Sequence, residues 1–179
     1  LGGRDTHTIT LADSDPVPTV SFTDADGADD VTEGDATYSV SFSLNYKSYQ
    51  TSTINYSVNG SSSAGADDYT FAAGTVTFLA GSTVETKDFV IAVDALDEHT
   101  EEVIINLATP SNCSIGANNT LTISIEDNNE APTVRFTNAE DSGTEGEASQ
   151  SIRVDLDGAT SGKDVTVPFV FHASSTTEN

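Results

Sequence analysis

The chain has 179 residues, with 29 Asp plus Glu against 6 Lys plus Arg and a formal net charge of −23. A surface of that sign repels nucleic acid and anionic lipid, whose binding needs a basic patch. The single cysteine, Cys113, excludes an internal disulfide, and no apolar run reaches the ~18 residues of a membrane-inserting helix.

Taken in chain order, apolar residues alternate with polar ones at a period of two. Tyr38, Val40, Phe42 and Leu44 are interleaved with serines. Ile54, Tyr56 and Val58 follow, then Val76 and Phe78, then Phe89, Ile91 and Val93. Val103, Ile105 and Leu107 come next, before Leu121, Ile123 and Ile125. The runs are β-branched or aromatic, are bounded by Gly, Asn, Asp or Ser, and leave no helical stripe. About seven such runs in ~110 residues, each with one apolar face, predict an all-β, seven-stranded antiparallel β-sandwich.

The pattern also repeats. "TITLADSDPVPTVSF" at 8–22 returns as "TISIEDNNEAPTVRF" at 122–136, an offset of 114 residues. "VTEGDATYSVSFSL" at 31–44 returns as "GTEGEASQSIRVDL" at 143–156, an offset of 112. A self-match at this period means tandem copies of one module. Residues 1–15 then read as the last strand of a preceding copy, 16–130 as one complete domain and 131–179 as the first half of a second copy. The join, "EDNNEAPTV" at 126–134, is short and stiffened by Pro132, so consecutive copies are expected to sit close together.

The acids are unevenly placed. "DALDEHTEE" at 94–102 carries five carboxylates, and the nearest basic side chain in sequence is Lys87. Strand counting puts Asp94, Asp97, Glu98 and Glu101 in one connection at one end of the sandwich. Glu33, Asp67, Asp68 and Asp127 fall near the same end. Converging carboxylates raise one another's pKa and cost stability. A hard divalent cation removes the conflict. Ca²⁺ accepts six to eight oxygens in flexible geometry, Mg²⁺ holds to a tighter octahedron, and zinc wants the His or Cys spacing absent here. The same spacing also fits plain solvated loop acids.

Three stretches together resemble the Calx-β family: "EG" at 33–34, "AGADDYTFAAGTVTFLAGST" at 64–83 and "VDALDEHTEEVIINL" at 93–107. The resemblance covers residues 16–130, and 131–171 resembles the first half of a second copy. It implies an immunoglobulin-like calcium-binding β-sandwich. Carried over position by position, it implies calcium ligands at Glu33, Asp68, Asp94, Glu98, Glu101 and Asp127. Asp68 is preferred to Asp67 because it directly precedes Tyr69. Tight-binding sensors of the family end in a run of aspartates, whereas this copy has Asp127, Asn128 and Asn129, so weaker binding is expected. Asp97 and Glu102 match no family ligand and read as solvated surface. Glu145 matches Glu33 in a copy that lacks the other ligands.

His7 reads as a strand position, His99 as a solvated loop imidazole, and His172 falls near a turn. No Ser, His and Asp are spaced as a triad, and a glycosidase-like carboxylate pair would need an aromatic cleft in a chain with no Trp and 5 Tyr. The chain is read as no enzyme. The expected function is a calcium-binding structural and adhesive repeat of an extracellular or cell-surface protein, with Ca²⁺ rigidifying the joint between repeats. The alternative is a regulatory calcium sensor that shifts a partner domain. Expected partners are the neighbouring repeats and another protein or glycan at a cell surface. Strand exchange between molecules is a further expected self-association, with residues 6–12 completing the half copy of another chain.

Overall fold

The computed structural model describes residues 2–3, 5–23, 28–144 and 146–172. Glu145 lies outside the described residues. The strands in chain order are β1 (Thr19–Phe22), β2 (Ala28–Thr32), β3 (Tyr38–Leu44), β4 (Ser52–Val58), β5 (Tyr69–Thr70), β6 (Gly74–Phe78) and β7 (Val84–Ile91). They continue with β8 (Leu96–Asp97), β9 (Glu101–Ser111), β10 (Ser114–Ile115), β11 (Thr120–Glu126), β12 (Thr133–Phe136), β13 (Val154–Asp157) and β14 (Thr160–Ser161).

Two sheets form the sandwich among the described residues, in the orders β10-β1-β3-β7-β5 and β2-β11-β9-β4-β6. The expected runs are present as strands, and short pieces raise the count above seven. The first strand is split: β1 pairs with β3 in one sheet, and β2 pairs in parallel with β11 in the other. Val93 was expected to continue β7, but the strand ends at Ile91 and Val93 is exposed. The pairing with β5 ends with Tyr69 opposite Ile91, followed by one more bond from Ala92 N–H to Asp68 O (2.8 Å).

The period of two produces the core. Phe22, Val40, Phe42, Phe89 and Ile91 of one sheet face Ile54, Val76, Phe78, Val103, Ile105, Leu121 and Ile123 of the other, all buried. Burying one such side chain contributes about 1.5–3 kcal/mol. An aromatic chain crosses this core, from Phe22 to Phe42 (5.2 Å), Tyr56 (5.4 Å), Phe71 (5.1 Å), Phe89 (5.6 Å) and Tyr69 (5.1 Å). It ends beside Asp68.

The antiparallel ladders define two poles. The start of β3, the ends of β4, β7 and β11, and the start of β9 lie at one pole, since Val58 pairs with Ile105 and Ile125 with Glu101. The other pole holds the loop after β3 and Cys113. Residues 6–12 lie outside any strand and are exposed, His7 among them. A strand needs a partner for its N–H and C=O groups, and none is present beside this segment among the described residues. Further along, β12 and β13 pair Val134 with Leu156 and Phe136 with Val154. The equivalent pairs of β1 and β3 are Val20 with Leu44 and Phe22 with Phe42.

Candidate metal centre

The elements at the first pole bring the acids in from five directions. Glu33 follows β2, and its N–H donates to Glu126 O (2.9 Å), which fixes it beside the end of β11. Asp68 precedes β5, in a loop stapled to the start of β9: Ser63 N–H donates to Glu102 O (2.9 Å), and Glu102 N–H donates to the Ser63 hydroxyl (2.7 Å). Asp94 and Glu98 sit in the connection from β7 to β9. Glu101 opens β9, and Asp127 directly follows β11.

These side chains converge. Glu33, Asp68, Glu98, Glu101 and Asp127 line one small cavity with His99 and Ile125. Asp94 joins through a second relation, because oxygens of Glu33, Asp94 and Glu98 lie within 4.8 Å of one another. All six positions named from the sequence therefore share one pole. Asp67 is exposed, whereas Asp68 turns into the cavity and accepts the Gly65 N–H. His99 is exposed at the rim, and Glu102 is exposed on β9.

The electrostatics follow from that crowding. Burial, a hydrogen bond with Asp68, and the charges of Asp68, Glu98 and Glu33 push the Glu101 carboxyl up to about 7. Glu33 is raised by burial and then by Asp94, Asp127, Glu98 and Asp68. Glu98 is raised by burial, Asp68, Asp94 and Asp127, with Lys163 acting in the opposite sense. Hydrogen bonds relieve part of the strain. The Asp127 carboxylate accepts N–H groups from Glu98 (2.7 Å) and Asn129 (2.8 Å). The Asn129 amide donates to Leu96 O (3.1 Å) and to carboxylates of Glu33 and Asp94 (both 3.4 Å). Asn128 donates to Glu33 O. Asn129 thus acts here as a donor that bridges two acids which would otherwise repel, while Asn128 holds the Glu33 main chain.

A donor set of carboxylate oxygens fits a hard cation. Cys113 is buried at the other pole, bonded to Thr53 O, so no thiolate competes.

Asp97 requires a correction. It was expected to be solvated surface, yet it is 4% exposed. Its carboxylate accepts the Ser161 hydroxyl (2.8 Å) and the Lys163 ammonium (2.6 Å), and these contacts hold it below the usual carboxylate range. Both partners are more than sixty residues away, in the segment after β13. Only the fold brings that segment onto the acid loop.

Comparison with known proteins agrees with this architecture. The Calx-beta domain family matches residues 13–129 and again 127–179. The chain belongs to the Calx-beta domain family. Among solved structures, the apo-form Calx CBD1 domain superposes with a TM-score of 0.58 at 17% identity, covering 64% of this chain and 100% of that one. The calcium binding domain CBD12 of CALX1.1 gives a TM-score of 0.58 at 18% identity, covering 66% of this chain and 50% of that one. The Calx CBD2 domain gives 0.55 at 14% identity, covering 63% of this chain and 88% of that one. The chain thus accounts for about half the length of the CBD12 structure. At these identities the likeness is one of fold. No curated protein matches the sequence.

Proposed function

We propose that the acid pole binds Ca²⁺ through Glu33, Asp68, Asp94, Glu98, Glu101 and Asp127, and that the ion stiffens the joint to the following repeat of an extracellular or cell-surface protein. The observation that carries this reading is the approach of Glu33, Asp94 and Glu98 oxygens within 4.8 Å of one another. Without a cation, such oxygens repel one another across a partly buried site. A divalent ion converts that repulsion into coordination.

Family membership supports the choice of ion, and the description of CBD12 as a calcium binding domain points the same way. The link to stiffness is Asp127. It directly follows β11 and accepts the N–H of both Glu98 and Asn129, so an ion held there ties the acid loop to the start of the inter-repeat joint. The immediate partners are the neighbouring repeats. A cell-surface protein or glycan is the outer partner of an adhesive array.

Calcium calorimetry with thermal melts, on this chain and on Asp94→Ala/Glu101→Ala, tests the reading. Saturable binding and a calcium-induced rise in Tm, both lost in the double variant, are expected. A Kd of about 10⁻⁴–10⁻³ M fits the stiffener, and one of about 10⁻⁷–10⁻⁵ M fits a regulatory sensor instead. Absence of binding in the unmodified chain removes the metal reading.

A further inference from the structure

An edge strand offers unpaired N–H and C=O groups to any chain that can lie beside it. Most edges of this sandwich are blunted by charge or by shortness. β2 carries Asp29 and Asp30. β5 and β10 have two residues each. The first part of β7, which β5 does not reach, carries Glu85, Lys87 and Asp88. β6 is different. It pairs with β4 on one side, and among the described residues no strand lies on the other. Its five residues, GTVTF, include neither a charge nor a proline.

The neutrality extends beyond the strand. No residue from Thr70 to Val84 is charged, in a chain of net charge −23. Val76 and Phe78 point into the core, while Ala73, Thr75, Thr77 and Leu79 are exposed, Leu79 at 66%. The outer face beside the edge is neutral too, and hydrogen bonds hold it in place. The Thr75 hydroxyl donates to the Asn55 amide oxygen (2.6 Å), and the Asn55 amide nitrogen donates to the Thr109 hydroxyl (2.6 Å).

These features select the occupant. A second copy of this chain carries the same negative charge, which keeps two such molecules apart over most of their surface. The uncharged stretch from Thr70 to Val84 is where a second copy meets no carboxylate on the facing strand. The strand is also self-complementary. In the antiparallel register that overlaps all of β6, Val76 lies opposite Val76, Thr75 opposite Thr77, and Ala73 opposite Leu79, each unlike pair occurring on both sides of the axis. Threonine–threonine and apolar cross-strand pairs of this kind stabilise a ladder. We infer that β6 is a homophilic docking edge: two copies join β6 to β6 about a twofold axis, so that their β2-β11-β9-β4-β6 sheets become one continuous sheet. The contact is lateral and uses none of the six acids of the proposed calcium site.

Sedimentation velocity on the full chain in chelator, at low and at high salt, tests the edge apart from any metal. A dimer is expected that tightens with salt, because screening weakens the repulsion between the two net charges and leaves a neutral backbone ladder intact. Thr77→Lys sets a charge into the cross-strand pair with Thr75 and is expected to weaken the dimer roughly tenfold. Ser39→Lys makes the same change of charge at an exposed position of β3, in the opposite sheet, and is expected to leave the dimer unchanged within about twofold. Amide exchange within Gly74–Phe78 is expected to slow as the unmodified chain is concentrated. A chain that stays monomeric at every concentration and salt overturns the second copy as the occupant of β6. So does a dimer that both variants weaken alike. A dimer that survives Thr77→Lys overturns it as well and directs the association to exchange of residues 6–12. Unchanged exchange in β6 within a dimer overturns the edge whatever the variants do.

Discussion

Glu98 donates its backbone N–H to the carboxylate of Asp127 at 2.7 Å, joining the middle of the acid loop to the end of the last strand of the sandwich. This bond fixes the Asp127 carboxylate against the acid loop.

Asp127→Asn tests that position. The amide retains an acceptor for one of the two N–H groups but removes a charge. Calcium affinity is expected to fall at least tenfold, roughly 1.4 kcal/mol. The Tm in chelator should change little, because lost repulsion offsets a weakened charged hydrogen bond. A variant that keeps the full calcium-induced rise in Tm would exclude Asp127 from the site.

Tyr69 stacks on Phe89 with centroids 5.1 Å apart and planes 10° from parallel, and it directly follows Asp68. Tyr69→Ala is expected to cost about 2 kcal/mol of stability, and calcium affinity should fall several-fold as Asp68 loses its anchor. Val20→Ala is the control. Val20 is fully buried next to Leu44, toward the other pole, so about 2 kcal/mol should be lost there with calcium affinity unchanged. Equal affinity losses in both variants would show that the effect is global.

Gly34 has φ +92°, and a Cβ there would lie 3.1 Å from the Asn128 amide nitrogen that bonds Glu33 O. Gly34→Ala therefore strains the turn and crowds a contact across the site. Denaturant unfolding should show a loss of about 1 kcal/mol, accompanied by weaker calcium binding. Unaltered stability would mean that the turn relaxes freely.

The pH dependence follows from Glu101, Glu33 and Glu98, whose pKa values are all raised in the fold. Glu101 faces Asp68, Glu98 and Glu33, while Glu98 also faces Asp94, Asp127 and Lys163. Between the ordinary value of 4.5 and about 7, the folded chain holds protons that the unfolded chain has released. In chelator, stability should therefore fall as pH rises through that window and level off above it. Calcium needs the ionised carboxylates, so its Tm increment should grow over the same range. Melts at pH 5, 6, 7 and 8 in chelator and in calcium check both slopes. A chelator profile that rises with pH would contradict the crowding.

The sequence by itself determined the sandwich, because a period-two pattern such as Tyr38-Val40-Phe42-Leu44 has one apolar face and must bury it against another sheet. Strand counting also put the acids near one pole, and the family resemblance selected six of them. Tertiary structure decided the remainder. The switch of β2 into the second sheet is invisible locally, since it depends on a free edge at β11. The preference for Asp68 over Asp67 comes from the resemblance, and what the structure adds is that the Asp68 side chain lines the cavity and accepts the Gly65 N–H while Asp67 is exposed. Asp97 is the sharpest case. Its neighbours in sequence mark it as a solvated acid, and only the arrival of Ser161 and Lys163 from the far end of the chain buries it and gives it a counter-charge. Long-range electrostatic pairing leaves no periodic trace in a sequence, whereas burial of a strand face does.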